Sequence, residues 1–141
     1  MQQGVIIQHL TKPNINLVQA FYDKTTYKSA NSTLPEDEIV AAYDGDEVIG
    51  LYRLCHEAEV CVLRGFYVLE AYRGDGIGTA MLHVLDSVAL DKDVYLICVN
   101  NRNSFYAKAG FEVATNSVSE MLLQRKNKYN NPEMNILLRR A

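Results

Sequence analysis

Hydrophobic and polar positions change period several times along the chain, and each change marks an element. Val5-Ile6-Ile7 is a short apolar run that predicts a strand. After the turn-like Thr11-Lys12-Pro13-Asn14, the positions Leu17, Val18, Phe21 and Tyr22 share one helical face, so a helix is predicted to about Lys24. Thr25 to Pro35 is rich in Thr, Ser and Asn without a period and reads as loop with room for one helical turn. Ile39 to Tyr43 and Glu47 to Leu54 flank Asp44-Gly45, the strongest hairpin signal in the chain, because Asp-Gly supplies the positive φ of a tight turn. A second turn near His56-Glu57 leads into Glu59 to Leu69, a long strand with Gly65 in its interior. Glycine there marks a bulge or a close approach of backbone or ligand.

From Gly76 the period becomes helical, with Ile77, Ala80, Met81, Val84, Leu85 and Val88 on one face, which predicts one helix of about fourteen residues. Val94 to Val99 is continuously apolar, the mark of a strand buried on both faces and parallel to a neighbour, so Glu59 to Val99 reads as a βαβ unit. Asn103 is positioned to cap a short helix through Ala109, with Gly110 as its C-terminal stop, followed by a brief strand over Phe111 to Ala114. Ser117-Val118-Ser119-Glu120 fits a capping box for a helix to about Tyr129, and Met134 to Leu138 closes the chain as a strand. The expected fold class is therefore α/β, a mixed α+β sheet flanked by helices, in a single domain over residues 1–141. The hairpin edge and the C-terminal strand offer pairing surfaces, so both monomer and homodimer are compatible.

Composition narrows the function classes. With 141 residues, 48% hydrophobic and 22% charged, the chain is long enough to bury a core without metal or disulfides. A net charge of −3 gives no footprint for a nucleic-acid partner. Cys55, Cys61 and Cys98 follow no disulfide or metal spacing and read as buried reduced thiols, and no apolar run approaches a membrane span. A cytoplasmic protein without metal is expected.

The segment that carries chemistry runs from Val68 to Thr79, a strand end, a glycine-rich turn and a helix start in that order. Glycine N–H groups in such a turn, with the first helical turn behind them, favour a phosphate. A Walker loop would need Gly-Lys-Ser/Thr, and Gly78-Thr79 follows isoleucine instead. A dinucleotide fingerprint would need glycine where Thr79 stands and an acid after the next strand, which ends Val99-Asn100-Asn101.

What remains, Arg73-x-x-Gly76-x-Gly78 with Val68 five residues ahead, resembles the acetyl-CoA pyrophosphate loop of the GNAT acetyltransferase superfamily. Ser104-Phe105-Tyr106-Ala107-Lys108-Ala109-Gly110-Phe111 is similar to that superfamily's Phe-Tyr-x-x-x-Gly-Phe segment, and the order of elements matches over nearly the whole chain. The resemblance implies the acyl-CoA N-acyltransferase fold, with a bulged and splayed central sheet. It also implies a cofactor site at Phe66, Tyr67, Val68, Arg73, Gly74, Asp75, Gly76, Ile77, Gly78 and Thr79, with acetyl-CoA as co-substrate and direct transfer of acetyl to an amine. Tyr106 would protonate the leaving thiolate. One departure stands out: the family's Asn seven residues before the tyrosine is Val99 here.

An acceptor amine with pKa near 10.4 is neutral about once in 2,500 molecules at pH 7, so a base is useful. Glu70 at the loop entrance is the leading candidate, with Glu57, Glu59 or a water chain behind it and His56 and His83 weaker. Cys61 and Cys98 would flank the slot, but no Cys/His/Asp set supports a nucleophile. Between Glu36 and Glu59 eight acids face one base, Arg53, which would suit a cationic acceptor although a solvated hairpin surface is the plainer reading. The expected partner is a small-molecule, peptide or protein amine, with the alternative of a regulatory module that binds acetyl-CoA without turnover.

Overall fold

In the computed structural model, strands β1 (Val5–Leu10), β2 (Glu38–Asp44), β3 (Glu47–Glu57), β4 (Val60–Val68), β5 (Val94–Val99), β6 (Glu112–Val113) and β7 (Met134–Arg139) form one mixed sheet ordered β1-β2-β3-β4-β5-β7-β6. Helices α1 (Ile15–Asp23), α2 (Ile77–His83), α3 (Leu85–Val88) and α4 (Asn103–Ala107) lie between the strands in sequence. The structure describes residues 4–12, 14–25, 36–57, 60–99, 102–114, 122–123, 126–127 and 134–141. The expectations for Thr26 to Pro35, Glu59, Asn100, Asn101 and Ser117 to Glu120 lie outside them.

Alternation along β2 explains how one sheet serves two layers. Ile39 and Ala41 pack with Val18, Phe21 and Tyr22 of α1, while Val40 and Ala42 pack with Met81, Leu82 and Leu85 on the other side. Strands covered on both faces read as unbroken apolar runs, which is why β5 lacks a polar period. Each fully buried Val, Ile, Leu, Phe or Met side chain among them stabilises the fold by about 1.5–3 kcal/mol. A third cluster joins Val62, Leu122 and Ile136. Of the helix expected to run to Tyr129, residues 122–123 and 126–127 are described, and these are helical.

Local signals held at several ends. Asn14 Oδ1 accepts from the N–H groups of Asn16 and Leu17 (3.0 and 3.3 Å) and so starts α1. Gly45 has φ +61 in the turn between β2 and β3. β4 and β5 are parallel across the α2–α3 connection, as the βαβ reading requires.

Four expectations need correction. The helix after Gly76 is divided at Val84, whose ψ of −25° and bond to Met81 O at 3.3 Å tighten one turn into an i−3 pattern. Asn103 does not cap α4: the N-cap is Arg102, without a side-chain bond, and Asn103 Oδ1 accepts from Cys98 Sγ at 3.4 Å. The strand after Phe111 is shorter than expected, covering only Glu112–Val113. Neither the hairpin nor the C-terminal strand is a sheet edge, since β7 lies between β5 and β6, and β1 and β6 are the outer strands.

Candidate functional site

The site begins where the sheet opens. β4 and β5 pair only at Cys61 with Val94 and Val62 with Tyr95, and part beyond. On the other side of β4, Leu51 faces Tyr67 and Arg53 faces Arg64, so Gly65 and Phe66 together oppose Tyr52. This is a bulge, with two residues against one. Gly65 has φ +65, and a Cβ there would run into the Tyr22 hydroxyl, which donates to Gly65 O at 2.7 Å. Thus a glycine is needed on both counts. Leu69 N–H donates to Ile49 O on the β3 side at 2.8 Å, so alternation along the strand turns the backbone groups of Val68 toward the open edge.

A glycine turn closes that edge at one end. Gly74 and Gly76 have φ +84 and +83, values that L side chains rarely adopt. The first bond of α2 runs from Ala80 N–H to Gly76 O at 3.0 Å, so the N–H groups of Ile77, Gly78 and Thr79 precede the helix ladder. A Cβ on Gly78 would sit 3.2 Å from Phe105 Cζ, so that glycine lets α4 pack against α2. Between these walls lies a cleft of about 490 Å³.

Of the residues singled out in the sequence, Phe66, Tyr67, Val68, Arg73, Gly74, Gly76, Ile77, Gly78, Thr79 and Tyr106 line this cleft. Asp75 and Glu70 are exposed and are not among its lining residues, Glu70 being the first residue of a 3-10 turn, Glu70–Tyr72. Arg73 donates from Nε to Val68 O at 2.8 Å and lies over the Tyr67 ring, 4.8 Å from its centroid. Sequence reasoning missed Tyr72, Arg102 and Phe105, which also line the cleft. Phe105 stands beside Tyr106 in the Phe-Tyr motif and Arg102 precedes Tyr106 by four residues, one helical turn, so both were within reach of that motif. Tyr72 donates to Asp44 Oδ2 at 2.7 Å, a tie to the β2–β3 hairpin that no local pattern reveals.

Burial pushes the Tyr106 hydroxyl up to about 12, with Cys98 adding to the rise and Arg102 opposing it. Its ring packs on Phe105, Phe111 and Phe66 at centroid distances of 5.1, 5.8 and 6.4 Å. Cys55, Cys61 and Cys98 are free and buried, and burial raises the thiols of Cys61 and Cys98 to about 11. Protonated thiols make poor nucleophiles, which agrees with their reading as core residues. His56 and His9 both bond Glu38, and His83 is an exposed residue beside Asp86, so none of the three enters the cleft. Among the described residues no group of His, Cys, Asp and Glu is arranged to hold a metal, and no helix is long and apolar enough to cross a membrane.

The family model for the acetyltransferase (GNAT) domain matches residues 35–113, more than half of the chain and all of the cleft wall. The chain belongs to the GNAT acetyltransferase family. No curated protein sequence matches it. Solved structures share the GNAT fold at low identity. A GNAT family acetyltransferase from Elizabethkingia anophelis with acetyl-CoA bound is 20% identical at a TM-score of 0.67, covering 99% of this chain and 100% of that one. An IAA acetyltransferase from Bacillus cereus is 18% identical at 0.67, covering 97% and 99%. N-acetylglutamate synthase from Neisseria gonorrhoeae, complexed with coenzyme A and N-acetyl-glutamate, is 18% identical at 0.64, and the match covers 96% of this chain but 35% of that one. In this GNAT domain the bulged β4, the parting of β4 from β5, and the glycine turn before α2 together make the cleft.

Proposed function

We propose that this protein is an N-acetyltransferase of a single domain that takes acetyl-CoA into the β4–α2–α4 cleft and passes its acetyl group directly to a primary amine. The observation that carries the reading is the open edge of β4 beside a glycine turn with two positive-φ residues in one cleft. A pantetheine arm can add to that edge as an extra strand beside Phe66 and the Val68 N–H, the Val68 carbonyl being held by Arg73 Nε. The cofactor's phosphates suit the N–H groups of the turn, at which Gly74 faces open space on its side-chain side. The residues fit the co-substrate in shape and in donors.

The chemistry needs no covalent enzyme intermediate. The amine nitrogen attacks the thioester carbonyl, whose oxygen gathers charge that a backbone N–H of the open edge can stabilise. Tyr106 stands as hydrogen-bond donor to the departing sulfur, and the other wall holds the arm. Glu70, outside the cleft lining, can accept the amine's proton only through intervening water. The acceptor is an amine-bearing small molecule or peptide, and the acetylated amino acid bound by the Neisseria relative makes amino acids the first acceptors to try. Three free, buried thiols accord with a reducing compartment such as the cytoplasm.

Calorimetric titration with acetyl-CoA, with coenzyme A and ATP alongside, tests the reading. Saturable one-to-one binding stronger for acetyl-CoA than for ATP supports it, and absence of binding to folded protein removes it. Tight binding with no thiol release across an amine and amino-acid panel would favour an acetyl-CoA-responsive regulator instead.

A further inference from the structure

Two arginines line the cleft, and they differ in what they hold. Arg73 is committed, with Nε on Val68 O and its guanidinium stacked on Tyr67. Arg102 is exposed, and among the described residues it makes neither a hydrogen bond nor an ion pair. It is the N-cap residue of α4, and Tyr106 follows four residues later, so both project along one helix face into the cleft. The positive charge of Arg102 is felt at the Tyr106 hydroxyl and at the thiol of Cys98, which lies on β5 beyond its pairing with β4.

That placement answers a mismatch in the chemistry. An alkyl thiol titrates near 8.5 in water, whereas burial raises Tyr106 to about 12, so the tyrosine is the weaker acid and complete proton transfer from it to the departing sulfur is uphill. Sulfur must leave carrying charge. We propose, resting on the acetyl-CoA reading above, that Arg102 is a further catalytic residue whose guanidinium stabilises the departing thiolate while Tyr106 donates a hydrogen bond to it. The amine nitrogen bonds to the carbonyl carbon, the carbon–sulfur bond breaks with its electron pair on sulfur, and the amine's surplus proton goes to water. The thiolate takes a proton from solvent on release.

The other titratable or charged groups here are Tyr67 from β4 and Tyr72 and Arg73 from the turn, which line the cleft, and the buried Cys98 of β5, which acts on Tyr106. Cys98 at about 11 and Tyr72 and Tyr106 at about 12 keep their protons through pH 9.5, and comparison with a non-ionising analogue isolates the contribution of the coenzyme A thiol.

The test is coenzyme A binding measured by calorimetry from pH 7 to 9.5 under a phosphine reductant, with S-methyl-coenzyme A as the non-ionising control. A guanidinium beside the sulfur lowers the bound thiol by about one pKa unit. Affinity for coenzyme A relative to the control then rises about tenfold with pH and levels off above about 8.5. Arg102→Gln should reduce that rise to less than about threefold, and Arg102→Lys should keep most of it. An Arg102→Gln protein that shows the full wild-type rise overturns the proposal. So does one that weakens both ligands equally at every pH, since Arg102 would then hold phosphate. Failure of the wild type to bind coenzyme A at any pH would instead sink the acetyl-CoA reading.

Discussion

Arg73 Nε donates to the carbonyl of Val68 at 2.8 Å, and this bond ties the glycine turn back onto the last residue of β4. Its side chain therefore positions the turn, while the backbone of the turn remains for phosphate. Glutamine carries a nitrogen donor at the same distance along its side chain as Arg Nε, whereas lysine carries a methylene there. Arg73→Gln should keep acetyl-CoA affinity within about threefold of wild type, and Arg73→Ala should lose about five- to tenfold, the worth of one charge-assisted bond at an exposed site. Calorimetry on both variants decides: equal losses in the two would mean that the guanidinium itself meets the phosphates.

Gly76 combines two demands at one position, φ +83 at the N-cap of α2 and a place in the cleft wall. A side chain in that conformation costs about 1–2 kcal/mol, and a carboxylate adds repulsion toward a phosphate. Gly76→Glu should abolish detectable acetyl-CoA binding while Gly76→Ala weakens it. Unaltered titration of the Glu variant would take the turn out of the cofactor site.

How far these features could be read beforehand depends on how local their causes are. The Asp44-Gly45 turn, the Asn14 cap and the Gly65 bulge each follow from the conformational needs of one or two residues, and all three are present. The insertion of β7 between β5 and β6 depends on pairing between segments about twenty or more residues apart, which no local pattern encodes. Asn103 illustrates the same limit: a good cap by type, it is claimed by Cys98 Sγ from the neighbouring strand. Tyr72 escaped notice because its place in the cleft comes from tertiary packing and from its bond to Asp44, which no local period encodes.

Tyr106 is held between Phe66, Phe105 and Phe111, which raises its hydroxyl to about 12 and keeps it protonated through the working range. Tyr106→Phe should leave acetyl-CoA binding intact and lower kcat about ten- to hundredfold once an acceptor is in hand. Because the group titrates so high, the wild-type pH–rate profile should show no falling limb from it below pH 10. Turnover of the Phe variant equal to wild type at every pH would assign the sulfur's hydrogen bond elsewhere. Glu70→Gln run beside it should lower kcat/KM most at low pH, where the amine is least often neutral; a flat ratio across pH would exclude Glu70 as the base.

Glu38 joins three strands away from the cleft, with Oε1 2.7 Å from His9 Nε2 of β1 and Oε2 2.7 Å from His56 Nε2 of β3. An ionised carboxylate only accepts, so both rings present Nε2–H to it. Burial pushes the Glu38 carboxyl up, but the bonds from His56 and His9 together outweigh it, and the group ends below its usual 4.5. A depressed carboxylate contributes stability that is fully present above its unfolded value near 4.5 and is lost as pH falls through its folded value. Glu38→Gln should therefore cost about 1 kcal/mol at pH 7, or about 3–4 °C in Tm for a chain of this length. The gap between variant and wild type should close as the pH is lowered below about 4, because the wild-type carboxyl is then protonated as well. Calorimetric melting at pH 7, 5 and 3.5 measures it, and an undiminished gap at pH 3.5 would show that the contribution of Glu38 comes from packing and not from its charge.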